Sequence, residues 1–111
     1  MLIDTLKTRE EALHIINNYK AVIFKFTATW CGPCKRVSGL VDDLYEQVKD
    51  HVVMVIVDID KAKDIASYMK IRSVPTMISY IDKQPMDSVL GADRDGIIAF
   101  FNKTYQKSSE V

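Results

Sequence analysis

The chain has 111 residues, 48% of them hydrophobic and 27% charged, which suffices for one ordinary core over residues 1–111 and is too short for two domains. Fifteen basic side chains balance fifteen acidic ones, so no net field draws the chain to nucleic acid or to an anionic membrane, and a partner must be recognised by local surface. Met1 to Lys7 lacks the basic segment and apolar run of a secretory signal, and no apolar stretch approaches the roughly 20 residues of a spanning helix, which predicts a cytoplasmic protein.

Thr8 with Glu11 reads as a capping box, and Leu13, Ile16 and Tyr19 follow at helical spacing, so a first helix is expected over Thr8 to Tyr19. Ala21 to Phe26 is an almost unbroken apolar run rich in β-branched and aromatic residues, the pattern of a strand buried on both faces. Val37, Leu40, Val41, Leu44, Tyr45 and Val48 then recur at helical intervals on one long amphipathic helix that starts at or near Cys31. Val52 to Val57 is a second apolar strand. Asp60 is the expected cap of a third helix running to about Met69 and burying Ile65 and Met69. Two strands joined through so long a helix should lie parallel, with the usual right-handed crossover. Thr76 to Ile81 and Ser88 to Leu90 flank the polar turn Asp82, Lys83, Gln84 and read as an antiparallel hairpin. A last helix near Arg94 to Tyr105 is expected to present Ile97, Ile98, Phe101 and Tyr105 to the sheet. No repeat or low-complexity linker interrupts this order.

Both cysteines of the chain lie in Trp30-Cys31-Gly32-Pro33-Cys34, at the junction between the first long strand and the long helix. In an open α/β sheet, reactions gather beyond the carboxyl ends of parallel strands, which is where this segment emerges. A sulfur on Cys31 would meet the unpaired N–H groups and dipole of a helix amino end, which favour a thiolate and make it the candidate nucleophile. Cys34, one turn on, shares its helical face and is the candidate resolving thiol. Gly32 leaves the approach to Cys31 open, and Pro33 suits the first helical turn, where a missing N–H costs nothing. Two other readings stand beside this one. A zinc site needs about four ligands, and the only histidines, His14 and His51, fall in the first helix and before the second strand. A merely structural thiol pair leaves the surrounding Trp, Gly and Pro without a purpose.

The segment Trp30 to Cys34, preceded by the strand Ala21 to Phe26 and followed by Lys35, resembles the active site of the thioredoxin family, and the resemblance runs the length of the chain. It implies an α/β thioredoxin fold: a central mixed β-sheet flanked by helices on both faces. Ser73, Val74, Pro75 and Thr76 correspond to the family's cis-proline loop, so Pro75 is expected to be cis and to turn the backbone of Val74 toward a substrate groove, with Gly91 as the groove's glycine. Trp30 would lie over the cysteines as an apolar contact surface, and Asp60 resembles the acid that accepts a hydrogen bond from its indole.

Three departures accompany these matches. Where thioredoxins carry a buried Asp that helps move the proton of the resolving thiol, this chain has Lys25, and the neighbouring-strand position that often holds a Lys is Ile56. A lysine in an apolar strand is pushed toward its neutral form. Three outcomes stay open: a neutral amine that accepts the proton of Cys34, a charged amine paired with a carboxylate such as Asp58 that favours thiolates and a more oxidising couple, or a stem that carries the amine out to water. Thr27 replaces a second tryptophan, and Gly39 replaces the proline that kinks the long helix.

The resemblance implies a monomeric protein-disulfide reductase with no bound cofactor. Cys31 and Cys34 would form its redox-active disulfide, disulfide-containing proteins would be its substrates, and a separate thioredoxin reductase or equivalent donor would restore the dithiol. Electron transport and cell redox homeostasis would be its roles. A binding subunit indifferent to thiol state, or a more oxidising isomerase-like protein, are the alternatives.

Overall fold

The computed structural model describes residues 1–110. In chain order the elements are β1 (Leu2–Ile3), α1 (Arg9–Asn18), β2 (Ala21–Thr27), α2 (Gly32–Val48), β3 (Val53–Asp58), α3 (Lys63–Tyr68), β4 (Thr76–Ile81), β5 (Gln84–Leu90) and α4 (Arg94–Ser108). The five strands form one sheet in the order β1-β3-β2-β4-β5. β2 and β3 are parallel, as a crossover through α2 requires, and β4 runs antiparallel to both β2 and β5. The mixed sheet expected from the resemblance is therefore present, with two helices on each side.

Alternation of side chains across the pleat divides the core in two. On one face Ala21, Ile23, Met54 and Met77 pack against Val37, Val41 and Tyr45 of α2 and against Ile97, Phe100 and Phe101 of α4. On the other, Val22, Phe24, Phe26 and Val55 pack against Ala12, Ile15 and Ile16 of α1 and Ile65 of α3. β2 lies at the centre of the sheet and is covered on both faces, which explains its nearly continuous apolar run. Among the described residues no helix is long and apolar enough to cross a membrane.

The capping box at α1 forms as expected: Glu11 N–H donates to Thr8 Oγ1 at 3.2 Å and Thr8 N–H to Glu11 Oε1 at 3.0 Å. Elsewhere the structure corrects the sequence reading. Tyr19 ends α1 as its C-cap and faces solvent rather than the core. Asp60 does not cap α3: that helix begins at Lys63 after Ala62, whose side chain offers no capping bond. Met69 is the C-cap of α3 and is only half-buried. The hairpin turn is shorter than expected. Asp82 and Lys83 alone make it, with φ of 51° and 73°, while Gln84 already pairs with Ile81 and β5 runs from there. Two successive left-handed residues give the turn whose twist matches that of the strands. On α4, Ile98 and Tyr105 are 38% and 40% exposed, and Phe100 and Thr104 take the buried positions beside Ile97 and Phe101. The two-residue β1, parallel to β3, is an edge strand too short to announce itself by periodicity.

Gly39 is exposed in mid-α2, and nothing lies within 4 Å of where its Cβ would be. Gly39→Ala should therefore stabilise the protein by up to about 1 kcal/mol, through helix propensity alone, read as a higher urea midpoint with an unchanged slope.

Candidate functional site

The site forms where β2 hands over to α2. After Thr27 the chain turns through Ala28, Thr29 and Trp30. Cys31 N–H then donates to Ala28 O at 3.2 Å, and Ile59 N–H, just past β3, donates to Thr27 O at 3.0 Å, which ties the two strand ends together. Cys31 itself is the N-cap of α2, in extended conformation, and its sulfur accepts the N–H of Cys34 at 3.1 Å. Pro33 sits in the first helical turn, where its missing N–H is harmless. Cys31 and Cys34 are joined as a disulfide and are 2% and 6% exposed, one turn apart on the same face of the helix. Gly32 is exposed between them, and a Cβ there would lie 3.8 Å from the Arg36 guanidinium.

Around the disulfide, Ala28 is buried against the sulfurs, with Ile59 and Val74 half-buried beside them. Ala28 and Ile59 carry no chemical motif that would pick them out of the sequence; each follows directly on a strand end, which is the signal that marks them. Trp30 is 65% exposed and donates its indole N–H to Asp60 Oδ2 at 2.8 Å. Asp60 thus holds the indole and leaves helix capping aside. The Val74–Pro75 bond is cis, and Val74 lies outside the β2–β4 ladder, which begins at Thr76. Gly91 N–H donates to Pro75 O at 2.8 Å, fastening the end of β5 to the proline loop. Among the described residues no three His, Cys, Asp or Glu side chains gather as metal ligands. His14 and His51 are both exposed, the latter packed edge-on to Tyr105.

The thioredoxin family profile matches residues 4–103. The chain belongs to the thioredoxin family. Thioredoxin from Coprinus comatus is 32% identical over 104 residues, which cover 93% of this chain and 98% of that one. Mitochondrial thioredoxin 3 of Saccharomyces cerevisiae, in its oxidized form, is 28% identical with a TM-score of 0.83 over 91% of this chain and 94% of its own. A structure that addresses thiol resolution in a yeast mitochondrial 1-Cys peroxiredoxin via the glutathione/thioredoxin systems is 27% identical, with a TM-score of 0.84 over 91% and 94%. With its Cys-X-X-Cys disulfide, the chain is a thiol-disulfide oxidoreductase, and reductase activity is the thioredoxin function. The family implies disulfide substrates and a reductase as partner.

Lys25 separates this chain from thioredoxins that carry a carboxylate at that position. It lies in β2 between Ile56 of β3 and Met77 of β4 in register, and is half-buried. Its side chain lines a pocket of about 10 Å³, room for a single water, together with Cys34, Pro75, Thr76, Met77 and Gly91. Asp58 is not its partner: that carboxylate accepts the N–H of Asp60 at 2.9 Å. Among the described residues no carboxylate lies within 4 Å of the amine. Burial pushes the Lys25 amine below its usual value, opposed only in part by the charge of Asp42 on α2.

Gly91 adopts φ 79° with nothing within 4 Å of where a Cβ would stand, so the strain of a left-handed alanine acts alone. Gly91→Ala should cost about 1–2 kcal/mol in chemical unfolding. The unfolded chain holds the Lys25 proton up to the ordinary lysine range, whereas the folded disulfide form releases it at lower pH. Stability lent by the neutral amine therefore grows as pH rises from the folded value toward the unfolded one. Relative to Lys25→Met, the oxidised protein should gain stability over that alkaline window in parallel urea titrations.

Proposed function

We propose that Cys31 is the attacking thiol and Cys34 the resolving thiol of a cytoplasmic protein-disulfide reductase that works as a monomeric single thioredoxin domain. The observation that carries this reading is the position of the Cys31 sulfur as the N-cap of α2, where it accepts the Cys34 N–H at 3.1 Å. A negative sulfur at that point is favoured by the N–H donor and by the helix dipole. In the dithiol form the Cys31 thiolate attacks one sulfur of a partner disulfide, and the partner's other sulfur leaves as a thiolate. Cys34 then attacks the Cys31 sulfur, forms the Cys31–Cys34 bond and releases the second partner thiol. A separate reductase or equivalent electron donor restores the dithiol, which places the protein in electron transport and redox homeostasis.

Substrate binding falls to the exposed rim. The exposed Trp30 ring and the open approach at Gly32 and Pro33 receive the partner's side chains, while the backbone of Val74 beside Pro75 and Gly91 pairs with an extended partner segment. Two variants test the scheme. Cys34→Ser should accumulate a stable mixed disulfide through Cys31, visible as a dithiothreitol-sensitive adduct on non-reducing gels, and Cys31→Ser with Cys34→Ser should lose reductase activity altogether. Full biological activity of the double variant would instead mean a binding protein indifferent to thiol state.

A further inference from the structure

The water-sized pocket behind the disulfide contains one ionisable pair. Cys34 projects into it from α2 and Lys25 from β2, and the remaining walls bring no charge: Val37 and Val41 of α2, Pro75 to Met77, Val89 of β5 with Gly91 just beyond it, and Ile97 of α4. The Thr76 hydroxyl donates to Ser73 O at 2.7 Å. Ile56, across from Lys25 on β3, is apolar. Asp42 of α2 is the sole carboxylate whose charge acts on the amine, and it is exposed and more than 4 Å away among the described contacts. A thiol with so few polar neighbours has one nearby group able to take its proton.

We propose that Lys25 is the proton acceptor for Cys34 and that the dithiol form holds a Cys34 thiolate beside a Lys25 ammonium, so that the two groups share one proton whose place is set by the redox state. The inference rests on the reading of Cys34 as the resolving thiol. In the dithiol form the Cys34 S–H bond has broken and its proton has passed to the Lys25 amine, directly or through the one water the pocket admits, and once a partner is bound to Cys31 as a mixed disulfide the Cys34 thiolate attacks the Cys31 sulfur. The electron pair left on Cys34 forms the Cys31–Cys34 bond. The bond from Cys31 to the partner sulfur breaks, and that sulfur leaves with the pair as a thiolate. The dithiol has lost two electrons and the partner disulfide has gained them. Once the disulfide is formed, the ammonium faces no anion, and burial makes its proton easier to give up to water or to the departing thiolate.

This arrangement inverts the charge of a carboxylate base without changing the step. A carboxylate must already be negative beside a nascent thiolate, so that proton transfer relieves like-charge repulsion. A neutral amine begins uncharged and ends as the thiolate's counterion, so that proton transfer creates an attraction. Charge separation inside the pocket is confined to the reduced form, and the disulfide form leaves a half-buried amine with a weakened hold on its proton. By linkage, whatever the thiolate does to the amine, the amine does equally to the thiolate.

The test uses the full chain in both redox states. Heteronuclear NMR of the Lys25 side chain should give a titration midpoint at least about one pH unit higher in the dithiol form than in the disulfide form. In a Cys31→Ser background, where Cys34 is the only thiol, ultraviolet thiolate absorbance should show the Cys34 midpoint rising by a similar amount on Lys25→Met, and turnover of a disulfide protein by the otherwise native Lys25→Met chain should fall about tenfold or more near neutral pH. Circular dichroism and urea unfolding of Lys25→Met guard against misfolding, and the NMR arm on the native chain needs no variant. Equal Lys25 midpoints in the two redox forms, or a Cys34 midpoint indifferent to Lys25→Met, would overturn the proposal. If those results came while Cys34→Ser still trapped partners, Lys25 alone would lose its role; if trapping failed as well, the assignment of Cys34 would fall with it.

Discussion

The site depends on a single junction: a strand buried on both faces ends in the middle of the sheet, and the next helix begins with a sulfur as its cap. Because β2 is fixed between β3 and β4 and packed above and below, the position of Cys31 is set by the core rather than by a loop. Because Cys31 supplies the cap, the free N–H of Cys34 in the first turn is spent on sulfur instead of on a Ser, Thr or Asp oxygen. The same hydrogen bond that starts α2 thus reaches one sulfur of the disulfide. Gly32 and Pro33 fit around it, one keeping the sulfur's approach open and the other needing no acceptor for an absent N–H.

Much of this was legible in the sequence because the signals there are local. The capping box at Thr8 and Glu11, the unbroken run of β2 and the Cys31–Cys34 spacing each involve residues within one turn or one strand. What escaped the sequence depends on which partners the fold brings together. Asp60 has the chemistry of a cap, but the chain between it and Lys63 does not yet turn as a helix; its carboxylate serves only the indole of Trp30, thirty residues away, the contact that the family resemblance rather than local spacing implied. On α4 the apolar residues Ile97, Ile98, Phe100 and Phe101 spread over nearly half the helix, so period alone leaves the edge of the buried stripe undecided; packing against α2 and the sheet selects Phe100 and leaves Ile98 partly in solvent. The hairpin turn was blurred because Asp82-Lys83 takes the left-handed conformation usually signalled by a glycine.

The rim and the interior of the site are built differently. Trp30, Val74, Pro75 and Gly91 come from three separate stretches of chain, brought together by the parallel strand ends and by the hydrogen bond from Gly91 to Pro75. Behind them the interior is nearly free of charge. Lys25 is the exception, and its place in the sequence left its partner open: Asp58 closes the neighbouring strand, yet the charge that reaches the amine comes from Asp42, on the helix laid across that face. A lysine in this place puts an amine rather than a carboxylate in the pocket with Cys34.

A reductase must hold its dithiol at a potential low enough to pass electrons to ordinary protein disulfides. The most direct measurement is the reduction potential of the Cys31–Cys34 couple at neutral pH, from equilibration with glutathione or dithiothreitol buffers. The account predicts a value more negative than about −230 mV, in the range toward thioredoxin, whereas a value near about −180 mV, typical of disulfide isomerases, would contradict it.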